Sequence, residues 1–358
     1  MNLKTKFAGM AAIALFFSCS DDEVKIGADC NVVPVTADIT VPTTWTNGNV
    51  YVITDDLVIE DVLTIEAGVI VKVDGVSIDV IGEGRIAASG TANDHIVFTS
   101  IADDSRCGDS NDNGITTTAQ KGDWEGLYLN GGTNHIFEYV DVLYAGKNRG
   151  GFYNAVLIGE DGASFKFDHC TFAHTLSHES SANNYAFSGS YFMIDSSVSQ
   201  FTNNAFYDNG RPILVSTNYS LSTSNIFHNP SDGSQKNTHN GIYMFDTGLN
   251  NAVVNWAVTE VPYVVDSFNQ GGLNNTLNIA AGVIVKFSEE TAGLLTQATR
   301  PVNLSNTAIL TSYKDDAHGG DTNGDGNATA PSAADWDGFF NSDTNVYISA
   351  ANIFFSGN

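Results

Sequence analysis

The chain has 358 residues, enough for one elongated repeat domain or two compact ones, and 42% of them are hydrophobic, which excludes a wholly disordered chain. Its formal net charge of −26 argues against binding nucleic acid phosphates or anionic membrane surfaces and favours cations, calcium above all; acid that merely keeps a secreted protein soluble is the plainer reading of the same surplus. Only 16% of residues are charged, while Gly, Asn, Ser and Thr, the residues of turns and short strands, are abundant, and no long stretch beyond the N-terminus has helical apolar spacing.

Lys4 and Lys6 precede an apolar run from Phe7 to Phe17, which has signal-peptide length and is short for a membrane span. The run ends in Phe16-Phe17-Ser18-Cys19. A small residue before Cys, behind an apolar run, resembles the lipobox of bacterial lipoproteins; Phe16 stands where Leu is usual, a departure often seen in lipoproteins of the Bacteroidetes type. The resemblance implies a signal peptide over 1–18, lipidation of Cys19, and a lipidated N-terminus and linker over 19–44. Ser20-Asp21-Asp22-Glu23 resembles the acidic signal that sends such lipoproteins to the outer face of the outer membrane. The expected protein is therefore surface-exposed, monomeric and tied to the membrane through its lipid only; an ordinary secreted protein with an incidental Cys19 is the alternative. Cys30, Cys107 and Cys170 remain, an odd number that precludes full pairing. Nothing in the spacing supports a Cys30–Cys107 bond, and no disulfide framework is expected. Cys170 alternates with Phe172 and should face a core.

From residue 45 onward the pattern is short strands. Leu57, Ile59, Val62, Leu63 and Ile65 lead to Val69-Ile70-Val71, and Val76, Ile78 and Val80 alternate with Ser77 and Asp79. Residues 45–146 then recur at 256–358 with an offset of 211 to 214. Leu63-Thr-Ile-Glu-Ala-Gly-Val-Ile-Val-Lys72 returns as Leu277-Asn-Ile-Ala-Ala-Gly-Val-Ile-Val-Lys286, and Asp123-Trp124-Glu125-Gly126 returns as Asp335-Trp336-Asp337-Gly338. Trp45 matches Trp256. The period is too long for one coil of a solenoid, so each copy holds several. The middle segment, 147–250, carries looser repeats: Phe167-Asp-His-Cys-Thr-Phe172, Phe201-Thr-Asn-Asn-Ala-Phe206 and Ser222-Thr-Ser-Asn-Ile-Phe227. In stacked coils these aromatics, with Tyr144 and Phe355 in matching places, should form an internal column, and Asn side chains should form ladders at the turns.

Gly84-Arg-Ile86-Ala-Ala-Ser-Gly90-Thr91, Ile96-Val97-Phe98-Thr99-Ser100 and Asp123-Trp124-Glu125-Gly126-Leu127 together resemble the β-helix surface proteins of the pectin-lyase-like superfamily. The resemblance covers most of the mature chain. It implies an all-β fold, a right-handed parallel β-helix solenoid with an internal duplication, over 45–358: first copy 45–146, middle coils 147–250, second copy 256–358. The second copy lacks the Gly-Thr element within Ala292–Leu310, where an irregular coil is expected. The chain stops at Ser356-Gly357-Asn358 where the first copy runs on through Ala145-Gly146-Lys147, so this end lacks a cap or the chain continues.

Each copy carries one long polar loop. The first holds Asp109-Ser-Asn111-Asp-Asn113-Gly114 behind Asp103-Asp104; the second holds Asp321-Thr-Asn323-Gly-Asp325-Gly326 behind Asp315-Asp316. Oxygen side chains at positions 1, 3 and 5 followed by Gly form the first half of a calcium loop, because alternate side chains converge on one hard cation. Gln120 and Ser332 stand where an EF-hand has its Glu, so the loops are instead similar to the Asp/Asn-rich calcium turns of extracellular repeat proteins. Plain Asx turns that need no ion are the competing reading.

No catalytic constellation is evident. Arg85, Arg149, Arg211 and Lys166 show no motif placing them beside an acid cluster; Asp141, Asp168 and Asp195 lie in strand-like segments and could share a face. His169, His174 and His178, with Cys170 and Glu179 near, read better as turn residues than as zinc ligands. The leading expectation is a non-enzymatic adhesion or carbohydrate-binding module for extracellular polysaccharide or host or cell-surface glycan, with Tyr153, Tyr185, Tyr191, Tyr207 and Tyr219 as candidate stacking rings. A polysaccharide lyase or glycoside hydrolase of the β-helix fold is the alternative.

Overall fold

The structure is a computed structural model that describes residues 30–114, 116–159, 164–176, 184–189, 198–246, 253–266 and 275–357. Cys19, Tyr191, Asp195, His178 and Glu179 lie outside the described residues. Among those described there is no helix, and nothing long and apolar enough to cross a membrane as one.

Three parallel sheets run side by side. Successive strands visit them in turn: Asn49–Ile53 in a seven-stranded sheet, Leu57–Ile59 in a ten-stranded sheet, Val62–Ile65 in a six-stranded sheet, then Ile70–Val73 back in the first. This all-β arrangement fits a parallel β-helix. The register follows from the alternation: Tyr51, Val71, Phe98, Val142, Phe172 and Phe206 pair in line on the inner face of the seven-stranded sheet. Each is buried, since every second side chain points into the shared core. The strands begin earlier than expected: Asn31–Val35, inside the segment read as linker, already pairs with Asn49–Ile53.

The expected column is present. Phe172, Phe206 and Phe227 have no exposed surface, and their rings stack at 4.9 and 5.6 Å. Tyr144 and Phe355 do not belong to it. Val142 pairs with Phe172, and Tyr144 sits two residues on, at an outward corner with φ 61°, as Phe355 does with φ 60°. The Asn ladders also form. Asn204 Nδ2 donates to Asn225 Oδ1 (3.1 Å) and to Phe167 O (3.1 Å), while the amide of Cys170 donates to Asn204 Oδ1 (2.9 Å). Asn209 repeats the pattern with Asn237, at 2.8 Å. Cys170 is buried and free, as expected, and burial pushes its thiol pKa up. The coil expected to be irregular is built from Gly293–Thr296 and Val302–Leu304.

Two features depart from the sequence reading. Cys30 and Cys107 form a disulfide, tying the first strand to the first acidic loop. Their Cα atoms come within 5.7 Å because that loop folds back over the sheet to which Asn31–Val35 adds, a proximity that a sequence separation of 77 conceals. The duplicated copy is also displaced by one sheet. Ile70–Val73 and Ile96–Ser100 belong to the seven-stranded sheet, but their counterparts Ile284–Phe287 and Ile309–Ser312 extend the ten-stranded one. The chain leaves the ten-stranded sheet at Ile242–Phe245, starts a new sheet with Val253–Trp256, and returns to it at Tyr263–Val265.

Candidate functional site

The two acidic loops are built alike. Lys72 and Lys286 end the Val-Ile-Val-Lys runs, and alternation turns them outward. Both are nevertheless fully buried, because the loop lies over them: Lys72 Nζ donates to Gly108 O (2.5 Å) and Lys286 Nζ to Gly320 O (2.6 Å). Thr99 donates to Asp103 Oδ2 (2.7 Å) and Thr311 to Asp315 Oδ2 (2.6 Å). Ser100 donates to Asp123 (2.6 Å) and Ser312 to Asp335 (2.7 Å). The indoles of Trp124 and Trp336 donate to Leu143 O and Phe354 O, each at 2.8 Å. Each loop is thus seated by a buried ammonium beneath it, two hydroxyl–carboxylate pairs and a Trp at its exit.

Within the loops the expected ligands divide. Asp103 is fully engaged by Thr99 and Ser105, and Asp315 by Thr311, His318 and the Ala317 amide. These two hold the loop base. Asp104 and Asp316 face the turn instead. Burial, and next the Asp109 carboxylate, push the Asp104 pKa above its ordinary value; burial and Asp321 do the same to Asp316. Asp109 and Asp321 each cap their turn by accepting the amide of the glycine five residues on, at 2.6 and 2.8 Å. Carboxylate oxygens of Asp316, Asp321 and Asp325 all lie within 4.8 Å of one another. In the first loop, Asp104 Oδ1, Ser110 Oγ, Asn111 Oδ1 and Asn113 Oδ1 are enclosed without a hydrogen-bond partner, and in the second so is Asp316 Oδ1. Enclosed oxygens without donors cost free energy unless a ligand supplies the missing interaction, and an all-oxygen set suits a hard cation.

Beside the first loop lies an open pocket of about 320 Å³, lined by Asp74, Ser100, Asn111, Thr117, Thr118, Gln120 and Asp123 with Ile101 and Ala102. Seven of these nine residues carry a hydroxyl, amide or carboxylate group.

The remaining candidates separate. Asp141 lies on the outer face of the seven-stranded sheet, held by His95 Nδ1 at 3.0 Å. Asp168 lies in the six-stranded sheet, bound by Thr202 and Asn203 at 2.8 Å each, so these two carboxylates do not share a face. His169 and His174 occupy two different corners, stacked on Tyr139 and Tyr144. Tyr153, Tyr185 and Tyr219 are buried and offer no stacking platform. Arg149, for which the sequence shows no motif placing it beside an acid cluster, does stand in one: it reaches Asp79 (2.7 Å) and Glu125 (3.6 Å) and lies over the Tyr128 ring at 4.3 Å. No spacing could have shown this, since residues 70 and 24 positions apart meet only through coil stacking.

The chain matches no family model, no curated protein and no solved structure.

Proposed function

We propose that the protein is a surface lipoprotein of the Bacteroidetes type, anchored at Cys19, whose right-handed parallel β-helix of the pectin-lyase-like kind binds extracellular glycan without catalysis and takes calcium in its two acidic loops. The pocket beside the first loop carries this reading. Its hydroxyls, amides and carboxylates are the groups that hydrogen-bond a polyol, and its volume suits one or two sugar rings. Asn111 lines the pocket and also belongs to the cation set, so an ion would order one wall. The test is a glycan array probed with the mature chain in calcium and in chelator. Retention of a glycan class that weakens with chelator and with Thr117→Ala or Gln120→Ala is expected; retention of none overturns the glycan reading.

Calcium has its own test. Binding to the folded state alone adds roughly 2.7 kcal/mol at a hundredfold excess over Kd. Calcium should therefore raise the melting temperature, and Asp109→Ala with Asp321→Ala should abolish the rise. A melting temperature indifferent to calcium and chelator favours plain Asx turns.

Arg149 between Asp79 and Glu125 favours a second reading, a polysaccharide lyase or glycoside hydrolase. Burial, with Asp56 next in effect, pushes the Glu125 pKa up, as a proton donor requires. Release of unsaturated or reducing sugar by the wild type, lost in Glu125→Gln, would establish it.

A further inference from the structure

In the coils before the first loop, the connection from the seven-stranded to the ten-stranded sheet is short: three residues separate Ile53 from Leu57, and three separate Val73 from Ser77. Between Leu143 and Val156 there are twelve. The extra chain contains a tight hairpin. Arg149 and Phe152 exchange both backbone hydrogen bonds (2.9 and 3.0 Å) across Gly150 and Gly151, whose φ of 59° and 97° supply the left-handed turn that such a two-residue loop needs. Directly opposed residues of an antiparallel pair project to the same side, so Phe152 stands beside Arg149. Phe152 is 42% exposed, and among the described residues its ring meets no other ring. The geometry points to a saccharide subsite at this hairpin, separate from the pocket beside the first loop: Phe152 is the platform for one face of a neutral pyranose, and Arg149 and Glu125 hydrogen-bond its hydroxyls. This rests on the glycan reading above.

A single exposed Phe is ordinary on a protein surface, and here its setting is what differs. The hairpin tip fills no space in the fold: a Cβ added at Gly150 or Gly151 would meet nothing within 4 Å. The Arg149 guanidinium is fixed by the Tyr128 ring at 4.3 Å and by Asp79 at 2.7 Å through Nη1, which leaves further N–H donors for a ligand. Glu125 lies 3.6 Å from Arg149 Nε, and its carboxylate accepts no hydrogen bond among the described residues. An open aromatic face beside unspent donors and acceptors suits a sugar, whose C–H face packs on the ring while its hydroxyls take the polar groups. Charge then selects among sugars. Asp56, Asp79 and Glu125 stand with Arg149 and Lys147, three negative groups to two positive, so a uronate or a sulfate ester is repelled and a neutral ring is not.

The experiment is affinity gel electrophoresis of the full mature chain against neutral polysaccharides (glucan, mannan, xylan) and acidic ones (polygalacturonate, alginate). At least one neutral polysaccharide should retard the wild type, and Phe152→Ala should weaken that binding about fivefold, as loss of an aromatic contact does. Phe152→Trp should preserve it. The chain's four tryptophans are buried, so the indole introduced by Phe152→Trp reports on the hairpin, and its emission should shift to the blue when the same polysaccharide is added. Retardation that Phe152→Ala leaves unchanged, or a Phe152→Trp chain that binds without a spectral shift, overturns the subsite and leaves the glycan reading standing. Retardation by acidic polysaccharides alone overturns the subsite as well. Binding to none of the polysaccharides overturns the glycan reading itself.

Discussion

Lys72 and Lys286 show how far a single residue can be read from its neighbours. Alternation places each on the outer face of its strand, where a lysine normally meets water. Both have no exposed surface, because a loop more than twenty residues downstream closes over them. Burial pushes the Lys286 pKa down to about 8, against the pull of Asp316, Asp315 and Asp321. The sign of its contribution follows. Below about 8 the lysine is charged in both folded and unfolded chains, and the fold carries the cost of an enclosed ammonium. Between about 8 and 10.5 the unfolded chain binds more protons, so this lysine's contribution to stability rises with pH over that window. Relative to Lys286→Met, the wild type should gain stability from pH 8 to 10.5 in denaturant titrations. A difference that stays flat across the window would count against a buried ammonium.

At the scale of the element, the coil, more was legible. Phe167, Phe172, Phe201, Phe206 and Phe227 recur at matched positions, and the strands with their inner faces follow from that periodicity. Phe206 packs between Phe172 and Phe227 with no exposed surface, so Phe206→Ala should cost about 3–5 kcal/mol of unfolding free energy. Denaturant unfolding of the variant measures this, and a loss below about 1 kcal/mol would mean the column is not packed as described. What the repeats hid was the corners. Tyr139, His169 and Asn203 stack at one, Tyr144, His174 and Asp208 at the other, all with φ between 52 and 61°. Left-handed backbone is usually announced by Gly or Asn. Here Tyr and His accept it because each ring packs on the ring of the adjoining coil, a gain invisible to local sequence. That is why Tyr144 was placed in the core, two residues from where it stands. The acidic turns were legible residue by residue, since Asx spacing is local. The disulfide and the Arg149 cluster were not, since both are products of stacking.

For the whole molecule, the anchor proposed at the N-terminal segment would decide where everything else acts. The acyl chains proposed on Cys19 would each contribute roughly 0.8 kcal/mol per buried methylene. Cys19→Ala should release the protein from the membrane fraction; unchanged membrane association sinks the anchor. The duplication was plain in the sequence, but the displacement of one copy was not, because the turn from one sheet to the next occurs in the middle coils, where repeats are loosest. That displacement carries one more consequence. A loop of the same build stands on the seven-stranded sheet in the first copy and on the ten-stranded sheet in the second, so the two face different compass directions. Two grips that cannot reach one ligand together give no avidity. On the proposed reading each loop would hold its own ligand, and a protein anchored through Cys19 would work as a staple between neighbouring fibres of a matrix rather than as a tighter clamp on any single one.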